Sequence, residues 1–161
     1  MEIRKAGKED AELIVDELWR PLAEEMAEYS DYNELKDDIR KQALEYREEK
    51  LGDQEYSIFI AETDGEAAGF AAAQVKESNP VFRKGSYVEL EELYVKEEFR
   101  RQDIARKLVD RVYDFAQERG CKTVELYVNV RNAPARQLYA DMEFQEERIK
   151  MIKEVEEDEK N

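Results

Sequence analysis

The stretch from residue 87 to residue 120, YVELEELYVKEEFRRQDIARKLVDRVYDFAQERG, decides the fold. Its first part, residues 87–95, places large apolar residues among acidic ones and predicts a strand. Its second part, residues 102–119, repeats apolar residues at helical spacing, and Gly120 is a typical helix stop. The expected core stripe of this helix consists of Ile104, Leu108, Val112 and Phe115. The stretch therefore predicts a strand that leads directly into an amphipathic helix.

The chain before this stretch predicts a strand, two helices and a hairpin. Residues 1–6 fit a first strand, and a helix follows from Asp10, in which Pro21 should kink or divide the helix. A second helix is expected to begin at Asn33, because asparagine is a favourable N-cap. The Asp-Gly pair at 64–65 separates two apolar runs and predicts a tight β-hairpin.

The chain after Gly120 predicts a strand over 122–130, a short helix over 132–141 and one or two last strands within 144–155. This order of elements indicates an α/β (α+β) fold with a single mixed, mostly antiparallel sheet flanked by helices on both faces. We expect one domain, residues 1–153, followed by a charged, flexible tail, residues 154–161.

The composition limits the possible functions. The net charge of -15 argues against a nucleic-acid-binding protein with a broad basic face, and is compatible with cationic partners or with solubility in a salty cytoplasm. The chain has no histidine and a single cysteine, Cys121, which excludes Ser-His and Cys-His hydrolases and a cysteine-based zinc site. No metal site is expected.

Membrane and export signals are not apparent in the sequence. No apolar run approaches the length that spans a bilayer, and the N-terminus lacks a signal-peptide pattern. The sequence therefore predicts a cytoplasmic protein without a membrane partner.

A cluster of positive charge stands out in this acidic chain. Residues 99–107, FRRQDIARK, place four cations at the start of the predicted helix. A helix start offers unpaired N–H groups and the positive end of the dipole, and so attracts phosphate. A solvated helix end paired with nearby acids explains the pattern equally well.

Two segments resemble the motifs of the GNAT superfamily of N-acetyltransferases. Residues 93–95 and 100–105, LYV and RRQDIA, resemble the acetyl-CoA motif, in which a strand is followed by (Arg/Gln)-x-x-Gly-x-(Gly/Ala) and a helix. Residues 132–139, NAPARQLY, followed by Phe144, resemble the motif Asn-x-x-Ala-x-x-(Leu/Phe)-Tyr-x-x-x-Gly-Phe. The two motifs occur in the right order and at the right spacing, and the resemblance extends from residue 1 to about residue 152.

The resemblance implies a site for acetyl-CoA as co-substrate. Backbone groups of the strand end would pair with the pantetheine arm, the helix start would hold the pyrophosphate, and Asn132 would contact the arm from the other side. The coenzyme-binding residues implied are Leu93, Tyr94, Val95, Arg100, Arg101, Gln102, Asp103, Ile104, Ala105, Arg106, Asn132 and Arg136. Tyr139 would protonate the departing thiolate.

The sequence departs from the family pattern at two glycines. Asp103 replaces the first glycine of the acetyl-CoA motif, and Glu143 replaces the glycine before Phe144. An aspartate tolerates some of the dihedral angles of a glycine, but its carboxylate brings negative charge to the phosphate site and is able to cap the helix. Asp103 therefore bears on coenzyme affinity rather than on the fold.

The strand before the acetyl-CoA motif carries three candidate bases, Glu89, Glu91 and Glu92. Without histidine, a carboxylate is the natural group to deprotonate an amine. Strand alternation predicts that Glu89 and Glu91 share a face with Leu93 and Val95, and that Glu92 lies on the other face. The resemblance favours Glu89, as in histone-type members, or the acidic pair at 91–92, as in spermidine/spermine acetyltransferases.

The sequence therefore predicts an N-acetyltransferase that moves an acetyl group from acetyl-CoA to a small-molecule or peptide amine by direct attack in a ternary complex. An acyl-CoA-binding or regulatory protein with weak or no catalysis is the alternative, and an interaction module on the same fold is a third hypothesis. A homodimer is plausible for the fold, although no residue of the sequence indicates one.

Overall fold

A computed structural model describes residues 1–156, and in these residues five strands form one open sheet in the order β1-β2-β3-β4-β5. The strands are β1 (Glu2–Lys5), β2 (Tyr56–Thr63), β3 (Glu66–Glu77), β4 (Ser86–Val95) and β5 (Val124–Leu126). Neighbouring strands are antiparallel, except that β4 and β5 are parallel. The predicted mixed, mostly antiparallel sheet is confirmed.

Helices cover both faces of the sheet, as predicted. The helices are α1 (Ala11–Leu13), a π-helical turn (Ile14–Trp19), α2 (Arg20–Glu28), α3 (Arg40–Leu51), α4 (Ile104–Glu118) and α5 (Ala133–Asp141). Residues of the π-helical turn and of α2 share one buried core with Ile58, Ile60 and Phe70. Residues of α4 share the other core with Phe59, Val88 and further residues of the sheet, and Tyr139 of α5 packs against it. The sheet thus separates two cores.

The first helical segment passes Pro21 without dividing. The six residues before Arg20 adopt the wider π-helical spacing, and the Arg20 N–H donates to the Val15 carbonyl. Proline has no N–H to donate, so a local change of hydrogen-bond spacing lets the helix continue past it. The apolar residues predicted for this helix, among them Ile14, Leu18 and Leu22, are buried.

Three sequence predictions need correction. The second helix begins at Arg40 and not at Asn33, because residues 33–39 offer too little apolar surface to pack on the sheet and Leu35 remains exposed. The strand predicted over 122–130 is realised only in β5, and none of the residues 144–156 pairs in the sheet. The tail predicted from residue 154 is exposed as far as Glu156, and residues 157–161 lie outside the described residues.

The local signals for the hairpin and for α4 are confirmed. Asp64 and Gly65 have φ angles of 53° and 80°, which a two-residue turn between right-handed twisted strands requires. Helix α4 ends before Gly120, whose φ of 68° is left-handed. In the part of the chain that the structure describes, no helix is both long and apolar enough to cross a bilayer.

Candidate active site

A β-bulge in β4 determines where its acidic residues point. Leu90 pairs with Ala73 and Glu92 pairs with Ala72, so Glu91 is the extra residue of β4. A bulge of one residue shifts the alternation of side chains after it. Leu90 and Leu93 therefore lie on the same face, although three positions separate them.

The bulge corrects the predicted distribution of side chains over the two faces of β4. Glu92 and Tyr94 pair with Ala72 and Phe70, which belong to the core under the π-helical turn and α2. Glu89 pairs with Gln74, which follows Ala72 on that face of β3. Glu89 and Glu92 thus share the face that the first helices cover, whereas regular alternation placed them on opposite faces.

Arg47 of α3 holds the carboxylate of Glu92. The Arg47 side chain is 2% exposed, and its two terminal nitrogens lie 2.8 and 3.2 Å from the Glu92 oxygens. One of these nitrogens also donates to the Tyr56 hydroxyl over 2.8 Å. Nothing in the sequence marks Arg47, which stands among six other charged residues of α3. The two hydrogen bonds fix Glu92 beside the bulge.

Lys76 of β3 lies beside the other two glutamates. Its ammonium group is in close contact with the Glu89 carboxylate, which is buried, and lies 3.5 Å from the Glu91 carboxylate. These hydrogen bonds and charges raise the pKa of Lys76, with Glu89 as the main cause. Tyr46 of α3 lies near this group, and burial together with the charges of Glu91 and Glu92 raises its pKa. The three candidate bases are therefore gathered on one side of the sheet.

Beyond the bulge, one edge of β4 has no partner strand among residues 1–156, and this edge is called the open edge. Strand β5 pairs with β4 only from Val88 to Leu90, while β4 continues to Val95. The Lys96 N–H donates to Ala68 on β3, so the backbone groups of Val95 and, by alternation, Leu93 point to the opposite edge. The backbone of Tyr94 faces β3 instead. The open edge offers main-chain hydrogen bonds to an extended ligand.

Gly69 allows the end of β4 to approach β3 closely. A Cβ atom at Gly69 would lie 2.4 Å from the Tyr94 carbonyl oxygen and 3.1 Å from the Val95 Cα. No side chain fits in that space without moving β4. Gly69 therefore helps to position the open edge. No local sequence pattern indicates this role, because the requirement arises between two strands.

The loop before α4 has the backbone geometry of an anion site. Arg101 and Asp103 have left-handed φ angles of 60° and 59°, so Asp103 adopts a conformation that glycine favours. The Asp103 carboxylate does not cap α4, and the first N–H groups of this 15-residue helix have no intrahelical acceptor. When left-handed residues alternate with others just before a helix, the backbone N–H groups of the loop and of the first helical turn point toward a common position, where an anion can bind.

The predicted coenzyme-binding residues around this loop differ in how accessible their side chains are to a ligand. Arg101, Gln102 and Asp103 are exposed, Arg106 is half-buried, and the side chains of Ile104 and Ala105 pack on the core. Arg100 instead donates from Nε to the Val95 carbonyl over 2.9 Å and pairs with Glu25 of α2. Its guanidinium thus fastens the end of β4 to the first helices.

The second motif lies at α5, next to the same core. The Asn132 side chain accepts a hydrogen bond from the Ala135 N–H and caps α5, and Arg136 pairs with Glu146. Tyr139 packs against the core under α4, on the opposite face from the glutamates. Burial raises the pKa of Tyr139 to about 12, so its hydroxyl is protonated at neutral pH. A potential acid, Tyr139, and several potential bases thus lie on opposite faces of the sheet.

Comparison with known proteins is consistent with this geometry. The sequence profile of the Acetyltransferase (GNAT) family matches residues 15–144. A protein of Archaeoglobus fulgidus named as an uncharacterized N-acetyltransferase is 32% identical over 144 residues, which make up 89% of this chain and 92% of the relative.

Two solved structures have a similar fold. A tetramutant of the BH1408 protein from Bacillus halodurans superposes with a TM-score of 0.84 at 16% identity, covering 96% of this chain and 100% of the other. The aminoglycoside N-acetyltransferase AAC(6')-Iy in complex with CoA superposes with a TM-score of 0.74 at 24% identity, covering 95% of this chain and 93% of the other.

Proposed function

Because this chain belongs to the acetyltransferase (GNAT) family, we propose that it transfers an acetyl group from acetyl-CoA to a primary amine by direct attack in a ternary complex. The observation that carries the proposal is the adjacency of the open edge of β4 to the loop before α4. Together they offer main-chain groups for an extended arm and convergent N–H groups for its phosphates. The A. fulgidus relative, named as an N-acetyltransferase, supports the same reaction class.

The residues present fit the coenzyme. We assign the pantetheine arm to the backbone of Leu93 and Val95 on the open edge of β4, where a short extended chain can pair as an added strand. The pyrophosphate belongs at the left-handed loop and the first N–H groups of α4, with Arg101 and Arg106 adding positive charge. Bound there, acetyl-CoA would supply the thioester that the amine attacks.

In this proposal, one of the three glutamates at the bulge acts as the general base. Glu92 is held by two hydrogen bonds from Arg47, and Glu89 is buried against Lys76. Glu91 is less constrained, because its contact with Lys76 is 3.5 Å long, whereas Glu92 accepts two hydrogen bonds from Arg47 and Glu89 is in closer contact with Lys76. We therefore assign to Glu91 the removal of a proton from the incoming ammonium group, directly or through water.

We assign the role of general acid to Tyr139, which lies on the other face of the sheet. Its high pKa keeps the hydroxyl protonated, so that it can donate to the sulfur when the carbon–sulfur bond breaks. In this assignment, a backbone N–H group on the open edge of β4 polarises the thioester carbonyl. In this assignment, the acceptor approaches from the face of α1 to α3 and the thiolate leaves toward α5.

Titration calorimetry with acetyl-CoA tests the coenzyme site. Native protein should bind, Arg101→Gln should bind more weakly, and the exposed Arg83→Gln should match the native protein. Asp103→Gly should bind more tightly at low salt, because it removes a negative charge beside the phosphates and keeps the left-handed turn. Absence of binding by both native protein and Asp103→Gly would overturn the proposal.

Thiol release in the presence of amines tests the reaction, with polyamines assayed first because the chain carries a net charge of -15. A second candidate function rests on Asp103, whose exposed carboxylate lies at the anion site. If native protein binds acetyl-CoA but releases no thiol with any amine, it is an acyl-CoA-binding or regulatory protein.

A further inference from the structure

The ammonium group of Lys50 on α3 has no carboxylate partner among residues 1–156. Its nitrogen donates to the Gln74 Oε1 atom over 2.9 Å and lies 5.8 and 5.2 Å from the ring centroids of Tyr46 and Tyr56. The Gln74 amide is itself held in place, because its Nε2 atom donates to two backbone carbonyls. In a chain with 41 acidic and 26 basic residues, a half-buried cation that is held by a neutral amide is available to an anionic group of a ligand.

Lys50 lies on the same face of the sheet as the glutamates of the bulge. Gln74, which holds Lys50, pairs with Glu89 across β3 and β4. The Cα atoms of Gln74 and Glu91 are therefore roughly 8 Å apart, one strand spacing across the sheet and two residues along it. The side chain of Glu91 is partly exposed and Lys50 is half-buried, so a ligand can reach both. This separation fits a short molecule that forms a hydrogen bond of about 3 Å at each end.

The charges on this face balance each other, unlike those of the whole chain. Three carboxylates and three cations lie here: Glu89, Glu91, Glu92, Arg47, Lys50 and Lys76. Arg47 compensates Glu92, and Lys76 is in closest contact with Glu89. Glu91 and Lys50 are left as the carboxylate and the cation with the weakest ionic contacts. They offer one negative and one positive group to a ligand, whereas a polyamine would place a second positive charge near the cations.

We propose that the acceptor is a small zwitterion, in which a carboxylate lies close to the reacting amine, as in a free amino acid. This inference rests on the proposed function and names the class of acceptor for it. The ammonium group of the acceptor lies at Glu91, and its carboxylate accepts a hydrogen bond from Lys50. The net charge of -15 attracts the acceptor's cation from a distance, and the local charges select among amines.

The proton balance of the transfer is complete with the groups already assigned. Glu91 takes one proton from the ammonium group, and the neutral amine attacks the thioester carbon. The carbon–sulfur bond breaks, and the thiolate takes the proton of the Tyr139 hydroxyl. The nitrogen loses a second proton as the amide forms, and this proton returns to Tyr139 through water. Lys50 holds the carboxylate and exchanges no proton, so it is a specificity residue.

Pairs of compounds that differ only in the carboxylate test the class of acceptor. The common amino acids are compared with the amines that lack their carboxylate, for example lysine with cadaverine and alanine with ethylamine. For the best pair, kcat/KM measured by thiol release should be roughly 10–100-fold higher for the amino acid, which is the contribution of a hydrogen bond to a charged group. Equal values, or higher values for the amines, would overturn the proposal.

Substitution of Lys50 assigns the preference to this site. Lys50→Met should raise KM for the amino acid by roughly 10–100-fold and leave kcat and acetyl-CoA affinity little changed, because it removes binding that does not involve the reacting atoms. Lys50→Arg keeps the charge and should retain the preference. Lys41→Met is the matched control on the same helix, since the Lys41 side chain is 82% exposed, and it should behave as native protein. If Lys50→Met weakens both members of a pair equally, the proposal is refuted.

Binding without turnover separates the class of acceptor from the reaction. By calorimetry, native protein saturated with CoA should bind the amino acid more tightly than the matched amine, and Lys50→Met should lose this difference. If the amino acid binds in this way but no amine releases thiol, the acceptor site is supported and the proposed transfer fails. If amines are acetylated and amino acids are neither bound nor acetylated, the transfer is supported and the zwitterionic acceptor is refuted.

Discussion

The contact between Arg47 and Glu92 gives a stability prediction that separates a buried ion pair from an exposed one. Substituting Arg47 by methionine leaves the Glu92 carboxylate, which is only 21% exposed, without its partner. Removing one partner of a buried pair costs about 3–5 kcal/mol, and the partial exposure of Glu92 places the expected loss of stability at about 3 kcal/mol. For a domain of this size, that loss lowers the melting temperature by roughly 6–12 °C.

Urea unfolding of a double-mutant cycle measures this effect. Glu92→Gln combined with Arg47→Met should be more stable than Arg47→Met alone, because the double variant leaves no unpaired charge. Arg40→Met is the matched control: Arg40 pairs with Asp16 at the surface, where both side chains are more than 40% exposed. The stability lost in Arg40→Met should be much smaller than the stability lost in Arg47→Met, because water and salt screen an exposed ion pair. A coupling free energy near zero between Arg47 and Glu92 would refute the reasoning.

Three further predictions follow from the structure. Tyr139→Phe should lower kcat by roughly 10²–10⁴-fold with little change in acetyl-CoA affinity. In the native protein, ionisation of Tyr139 should cause no loss of activity at alkaline pH below its pKa of about 12. Steady-state kinetics measured over a range of pH check both expectations. Asp10→Asn should cost about 1–3 kcal/mol at neutral pH, because hydrogen bonds from Arg4 lower the pKa of Asp10 from 3.8. That stability is present above the unfolded pKa and is lost as the pH falls through the lower folded pKa, so unfolding curves of native protein and variant should converge in acid. Gly69→Ala should cost about 1–3 kcal/mol and weaken acetyl-CoA binding, because its Cβ displaces the Tyr94 carbonyl; calorimetry that shows unchanged affinity would contradict this.

The parts of the fold that local chemistry determines were predictable. The apolar stripe of α4 has a clear helical period, and the Asp-Gly turn at 64–65 needs left-handed backbone that these residues supply. The loop before α4 was also marked by its cations. Because these signals lie within a few residues of each other, the sequence alone was enough to interpret them.

Features that depend on contacts distant in sequence were not predictable. The bulge at Glu91 appears only when β4 is aligned with β3, so alternation assigned Glu89 and Glu92 to opposite faces. Arg47 contacts residues 9 and 45 positions away, and no local pattern distinguishes it from other charged residues of α3. The strand predicted after Phe144 rested on an imperfect alternation, and alternation alone does not supply a partner strand, so residues 144–156 remain outside the sheet.

The bulge in β4 has a consequence for how this sequence can change over evolution. Inserting one residue into a buried strand normally turns every later side chain to the wrong face. In this strand, deleting Glu91 would restore a regular alternation of apolar residues. The alternating residues are Val88 and Leu90 before the bulge and Leu93 and Val95 after it. Such a deletion leaves the hydrophobic pattern intact and removes the assigned base. Loss or gain of this one residue can therefore change the chemistry of the site in a single step while the fold persists.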